Sequence, residues 1–221
     1  MSKGEKGWAP GGAVPSVRGG LVLVSGAQAE ARLSTLEHLF EALVESGDAA
    51  VTIGIANSPA ALVDRLGRLP VEDRVARIDA TGHEGSPGTD YGKRWWVRGP
   101  SDVRGLVLAC EAAVDELRAE NARVHLVVDD LSRLYLGTTP VEVFRFVHGL
   151  ALHCQLSGGT GLVGLDTSTT NGLERARLAH LCEAAVSTRR REGRLEYRGI
   201  GGPIDVRRWT PIGGGSVGES G

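Results

Sequence analysis

Aromatic side chains make up only 5% of this 221-residue chain, methionine occurs once and cysteine three times. So few rings leave no interleaved platform for stacking nucleic-acid bases beyond Tyr197 and Trp209. Cys110, Cys154 and Cys182 lie far apart in apolar surroundings, with no CxxC and no Cys/His pairing. Such spacing excludes a disulfide framework and a zinc site of the usual kind, and it predicts buried, reduced thiols in the cytoplasm. Charge of one sign is missing as well. The formal net charge is -2, which predicts no overall pull towards nucleic acid or an anionic membrane. No apolar run approaches the ~20 residues that span a bilayer, and no hydrophobic segment follows the N-terminal lysines as in a signal peptide.

Glycine is abundant, with 32 residues, many of them at the two ends. Residues 1–19 and 213–221 are therefore expected to be flexible tails, and residues 20–212 a single domain. Within it, Leu21–Ser25, Val51–Ala56, Val75–Asp79, Val124–Val128, Gly161–Asp166 and Ala184–Thr188 are short apolar runs of the kind that form strands covered on both faces. Between them, apolar residues recur at helical spacing. Examples are Leu36, Leu39, Phe40 and Leu43, then Val103, Leu106, Cys110 and Leu117, then Phe144, Val147, Leu150 and Cys154. Thr139-Pro140-Val141-Glu142 is a capping box with proline at the first helical position. Thr81–Tyr91 is rich in turn formers and predicts a loop. Near the end, Leu195–Arg198 and Ile204–Trp209 alternate apolar and polar residues, the pattern of an antiparallel hairpin. The expectation is an α/β three-layer sandwich, mostly parallel, with a C-terminal antiparallel hairpin.

In such a fold ligands bind at the carboxyl ends of the strands. The first of these is Ser25-Gly26. A phosphate loop there reads G-x-x-x-x-G-K-[S/T], so that backbone amides cradle phosphate, the lysine neutralises it and the hydroxyl holds magnesium. This chain has Gly26-Ala27-Gln28-Ala29-Glu30-Ala31-Arg32-Leu33. Gly26 is retained, and Arg32 keeps a cation where the lysine would stand. Ala31 replaces the second glycine, Leu33 offers no magnesium ligand, and Glu30 adds negative charge. Ala29 to Arg32 are good helix formers, so the loop is expected to shorten into a first helical turn. Ser34-Thr35-Leu36-Glu37 offers a cap farther along. Asp129-Asp130 ends a buried strand, where a nucleotide enzyme holds its magnesium water. Without a competent loop, Asp129 is expected to bond nearby backbone amides or Ser132.

These pieces together resemble the RecA/KaiC-like P-loop ATPase superfamily, and most closely its divergent archaeal KaiC-like members. The resemblance rests on Leu21–Gly26, on Val124–Asp130 followed by Leu131-Ser132, on Pro100–Leu106, and on Val143-Phe144-Arg145-Phe146-Val147-His148, and it covers about residues 20–188. It implies a RecA-like fold with a degenerate phosphate loop. Gly26, Arg32 and Asp129 fall at the family's nucleotide-site positions, and side-by-side assembly of the domain is implied too. No glutamate stands clearly where water would be activated, since the register of Glu72 and Glu84 is unsettled.

Three functions follow as expectations. The first is a non-catalytic pseudo-ATPase domain with no catalytic residue, metal or cofactor, acting as a regulatory or assembly protein with a protein partner or with itself. The second is a weak ATP- and magnesium-binding protein using Arg32 and Asp129. The third is a DNA-associated factor using an arginine-rich C-terminal segment. Candidate interface residues are Trp95 and Trp96, together with Arg189, Arg190, Arg191, Arg207 and Arg208. Asp166-Thr167-Ser168-Thr169-Thr170-Asn171 is expected to be a polar loop ending in a helix cap. The scattered histidines, including His148 and His153, form no metal-ligand pair.

Overall fold

The computed structural model describes residues 19–45, 47–66, 74–82, 93–121, 123–200 and 206–212. Both expected tails, apart from Gly19, lie outside them, as do most of the 81–91 loop, Glu72 and Glu84. The elements run in the order β1 (Leu21–Gly26), α1 (Ala29–Leu43), β2 (Ala49–Gly54), α2 (Pro59–Arg65), β3 (Val75–Asp79), β4 (Lys93–Trp96), α3 (Val103–Arg118) and β5 (Val124–Val128). A 3-10 helix (Leu131–Leu136) follows, then α4 (Pro140–Ser157), β6 (Gly161–Asp166), α5 (Gly172–Ala179), β7 (Ala184–Arg191), β8 (Arg194–Ile200) and β9 (Val206–Pro211).

The described strands form one sheet in the order β4-β3-β2-β5-β6-β1-β7-β8-β9. Pairing is parallel from β4 across to β7 and antiparallel for β7–β8 and β8–β9. Strands β1, β2 and β5 are buried at every position, which is why they read as unbroken apolar runs instead of alternating ones. Helices cover both faces. Val22, Val24 and Tyr197 pack with Leu36, Leu39 and Phe40 of α1 and Leu62 of α2. Leu21, Leu23 and Leu126 pack with Leu106 and Leu117 of α3, Phe146 and Leu150 of α4, and Leu178 of α5. The α/β three-layer arrangement with antiparallel C-terminal strands is thus present.

Four details differ from the expectation. The C-terminal antiparallel strands attach to the sheet through β7, which runs longer than expected, past Thr188 to Arg191, and pairs with β8 over its whole outer half. The arginines at 189–191 are therefore strand residues, and the tight turn is Glu192-Gly193, both at positive φ (52° and 78°). Trp95-Trp96 does not simply end a loop; it lies in the edge strand β4, whose four residues are too few for any periodicity. Ser34 and Thr35 do not cap α1. They sit inside it, with Thr35 Oγ1 donating to the Ala31 carbonyl at 2.7 Å. Among the described residues, no helix is long and apolar enough to cross a membrane.

Candidate functional site

Strands β1, β2, β5 and β6 end on the same side of the sheet, and their carboxyl ends surround a cavity of about 290 Å³. Arg32, Asn57, Asp130, Arg133, Asp166 and Thr169 supply its polar lining. Strand β6 lies between β1 and β5, so Asp129-Asp130 faces the β1–α1 turn across the end of β6, and Asp166 at that end becomes a third acidic neighbour.

The β1–α1 connection is only Ala27-Gln28. None of its residues has positive φ, and α1 is already formed at Ala29, so Ala31 and Arg32 are ordinary helical residues. The turn has no nest of amides of the kind that holds an anion. Two contacts with β7 explain its shape. A Cβ at Gly26 would collide with the hydroxyl and carbonyl oxygens of Thr188, so glycine is needed there to bring β1 against β7. The Gln28 side chain is extended towards β7 as well, its Oε1 accepting the Arg190 amide at 2.5 Å.

Arg32 points inward from the first turn of α1 and is 3% exposed. Its Nη1 donates to the Gly26 carbonyl at 2.6 Å and its Nη2 to Asp130 Oδ2 at 2.9 Å. Asp166 Oδ2 lies 3.5 Å from Nη1. The guanidinium that stands in place of a phosphate-binding lysine thus already holds two carboxylates and a carbonyl. A buried cation needs such partners, because desolvating it alone costs more than the fold can supply. Only Nε is left without a partner.

Each carboxylate is placed by its own strand end. Asp129 accepts four backbone amides, from Ile55 (2.8 Å), Ala56 (3.0 Å), Asn57 (2.6 Å) and Asp130 (2.7 Å), and also the Asn57 amide group (3.0 Å). It closes the loop between β2 and α2, as expected for an Asp that bonds backbone instead of metal. Burial pushes its carboxyl up, while the amides of Ile55 and Asn57 pull it down and nearby Asp130 adds to the rise. Asp130 accepts from the Ser132 amide (3.0 Å) and hydroxyl, which starts the 3-10 helix. Asp166 accepts from the amide (2.8 Å) and hydroxyl (2.6 Å) of Ser168. Partial burial works against its charge, yet Ser168, Arg32 and Arg133 together hold its carboxyl below the usual range. Asn171 then caps α5 in a capping box with Glu174, so the 166–171 segment is the turn and cap that its composition suggests.

The structure therefore brings Gly26, Arg32 and Asp129 to one crevice and adds Asp130, Asp166, Asn57 and Arg133. Asp166 is the residue that sequence reasoning passed over. Its signal was available, since it ends a buried parallel strand as Asp129 nearly does. Leu33 lines the crevice where a magnesium-holding hydroxyl would be needed. Ser34 points back at Glu30. Among the described residues no three metal-binding side chains are gathered into a cluster. The remaining candidates lie elsewhere. Trp95 packs against the core and Trp96 is 46% exposed under the Arg94 guanidinium at the β4 edge. Arg189, Arg190, Arg191, Arg207 and Arg208 lie at the opposite edge, in β7 and β9.

The three cysteines are free. Burial raises all three thiols, those of Cys154 and Cys182 to about 12, so none is a reactive thiolate. No curated protein matches the chain. A family model does match, over residues 19–188, from the start of β1 through most of β7: the chain belongs to DUF7504, a family of unknown function.

Proposed function

We propose that this protein is a non-catalytic domain of RecA/KaiC-like type, a pseudo-ATPase that acts as a regulatory or assembly protein. One observation carries the reading. The cation at the phosphate position, Arg32, is neutralised by Asp130 and Asp166 inside the fold. A nucleotide triphosphate entering this crevice would have to displace both carboxylates from Arg32 and then lie beside them, in a buried setting where like charges repel strongly. The two-residue turn supplies no amide cradle to offset that repulsion. A chain with no chemistry at its crevice acts through its surfaces. The outer face of α4 exposes Val141 and Phe144, two residues whose helical spacing suggested the core, and also Leu152 and Leu156 beyond the exposed His148, apolar surface of the kind that marks protein contact.

Isothermal titration with ATP and magnesium tests the reading. The expected result is no saturable heat, with or without magnesium. Saturable micromolar binding that strengthens in Asp166→Asn, where repulsion of the phosphates is relieved, at unchanged thermal midpoint, would overturn it in favour of a nucleotide-binding protein.

A further inference from the structure

Beyond the crevice, the C-terminal strands carry an uncompensated charge that the overall composition hides. Between residues 184 and 212 there are seven arginines, no lysine and three carboxylates, within a chain whose net charge is -2. The β7–β8 register decides how the arginines are displayed. Paired residues of an antiparallel ladder share a face. Thr188↔Tyr197 points towards α1, where Tyr197 is buried. Ser187↔Arg198, Arg189↔Glu196 and Arg191↔Arg194 therefore point to the other face. That face is covered at Ala185, which packs against the core. Farther out it is open, with Arg191, Arg194 and Arg198 exposed and Arg189 partly so.

Four guanidiniums thus meet only two carboxylates: Glu196, which holds Arg189 at 2.7 Å, and the turn residue Glu192, which lies 3.5 Å from Arg191 Nε in a solvated pair. Arg191 and Arg194 stand directly opposite each other, a pairing that costs stability instead of adding it. A charged edge would suffice to prevent strand-to-strand aggregation, but it would not require like charges in register. The aromatic element comes from β9. The Arg189 guanidinium lies 4.0 Å from the Trp209 ring centre and that of Arg198 4.7 Å. Guanidiniums held against a ring keep their donor edges free for outside acceptors and add planar surface.

We propose that this face of β7, β8 and β9 binds single-stranded nucleic acid. Arg191, Arg194 and Arg198 would contact phosphates through forked hydrogen bonds, and the Arg189–Trp209–Arg198 group would give the bases a surface to stack on. An open sheet face with an aromatic ring on it suits a strand with unpaired bases; duplex is read by elements that enter a groove. The site lies at the sheet edge, away from the Arg32 crevice, and stands whether or not that crevice takes nucleotide.

Fluorescence anisotropy of the full chain with a labelled mixed-sequence oligonucleotide, DNA and RNA in turn, tests this, with heparin and poly-glutamate as competitors. The expected result is salt-sensitive binding to at least one of the two. Arg191→Ser with Arg194→Ser should weaken it by about tenfold or more and lower the log–log salt slope by about 1.4, at ~0.7 per lost phosphate contact. Trp209→Leu should weaken oligonucleotide binding more than heparin binding. Thermal midpoints of all variants show whether they are folded, and the exposed Arg191/Arg194 pair keeps the test decisive if Trp209→Leu unfolds the strands. The proposal is overturned if neither oligonucleotide binds at low salt, if the double arginine variant binds as well as the parent, or if poly-glutamate competes as strongly as nucleic acid, which would mark an acidic protein partner.

Discussion

Arg32 and the Arg191–Arg194 pair are the same residue type in opposite circumstances. Arg32 is buried and every charge it meets is negative, with Asp130 and Asp166 both within 3.5 Å. Arg191 and Arg194 are exposed and face each other across a strand pair; Glu196 is committed to Arg189, and Glu192 meets Arg191 only at 3.5 Å in open solvent. A buried cation with internal counterions is part of the folding energy and is closed to a ligand. An exposed group of cations that outnumbers its solvated carboxylates adds little to folding and is open to one. The phosphate-loop position after the first strand is therefore the poorer guide to what this protein binds.

The sharpest test of that contrast is to remove Arg32. Arg32→Ala leaves Asp130 buried without its counterion, and breaking such a pair costs about 3–5 kcal/mol. Chemical denaturation should show a loss of this size. Arg32→Met combined with Asp130→Asn should recover much of it, because Asn still accepts from Ser132 and the one carboxylate left without Arg32, Asp166, is partly exposed and keeps Ser168 and nearby Arg133. A loss below about 1 kcal/mol for Arg32→Ala would mean that the pair is not the closed structural unit described here.

Asp129 should be nearly as costly. Asp129→Asn replaces one carboxylate oxygen with an NH2 group, which strands either the Ile55 and Asp130 amides held by Oδ1 or the Ala56 and Asn57 amides held by Oδ2, and stranding buried donors costs about 1–3 kcal/mol for each group left unpaired. The total should be smaller than the sum, since the loop can relax into the crevice. Hydrogen exchange should accelerate at one of those two pairs of amides and stay unchanged in β1. Equal protection in parent and variant would show that the β2–α2 loop is held by something other than Asp129.

How much of this was legible follows from which forces act locally. The six core strands were readable because burial on both faces leaves mostly apolar residues in β1 and β5, with Ser25 and His125 the exceptions. The Thr139 capping box declared the start of α4 for the same kind of local reason. The edge strand β4 was not readable, since Lys93-Arg94-Trp95-Trp96 has one buried neighbour strand and too few residues to show a period. The outer half of β7 was hidden too: three consecutive arginines resemble a solvated run until the register with β8 is known. At the crevice, the loss of a phosphate cradle was visible in Ala31 and Leu33. The neutralisation of Arg32 was not, because Asp130 and Asp166 lie 98 and 134 positions away in the chain and meet it only through strand order.

At the opposite end of the strands a second buried cluster offers a milder test. Asp48 takes Arg123 Nε at 3.0 Å and His125 Nε2 at 3.2 Å, and His125 Nδ1 accepts the Thr160 amide at 3.1 Å. That acceptor fixes the neutral tautomer with hydrogen on Nε2. Burial lowers the His125 value, although Asp48 pulls the other way. The unfolded chain then takes up a proton near pH ~6.5 that the folded chain refuses, so this part of the stability is present above that pH and lost as pH falls through the folded value. Asp48, held below its usual value against the cost of burial by the Glu45 amide, Arg123 and His125, contributes a loss only farther into acid. Urea unfolding between pH ~7.5 and ~5.5 should show the parent losing stability and His125→Asn losing less. Parallel pH profiles would remove His125 from the account.

The smallest stability effect should come from the residues with the largest expected effect on binding. Arg191→Ser with Arg194→Ser removes two like charges that face each other in solvent, next to a Glu192-Gly193 turn whose geometry does not depend on them. Exposed charges contribute little to folding even when favourably paired, and this pair is not. The thermal midpoint should therefore stay where it is or rise slightly, and more so at low salt, where repulsion between the two guanidiniums is least screened. A clear fall would mean that the arginines hold the strands together through contacts within the protein, which would place them with Arg32 and erase the distinction between the two regions. A midpoint that holds while oligonucleotide binding falls separates them by function: one arginine serves the fold and the others serve a ligand.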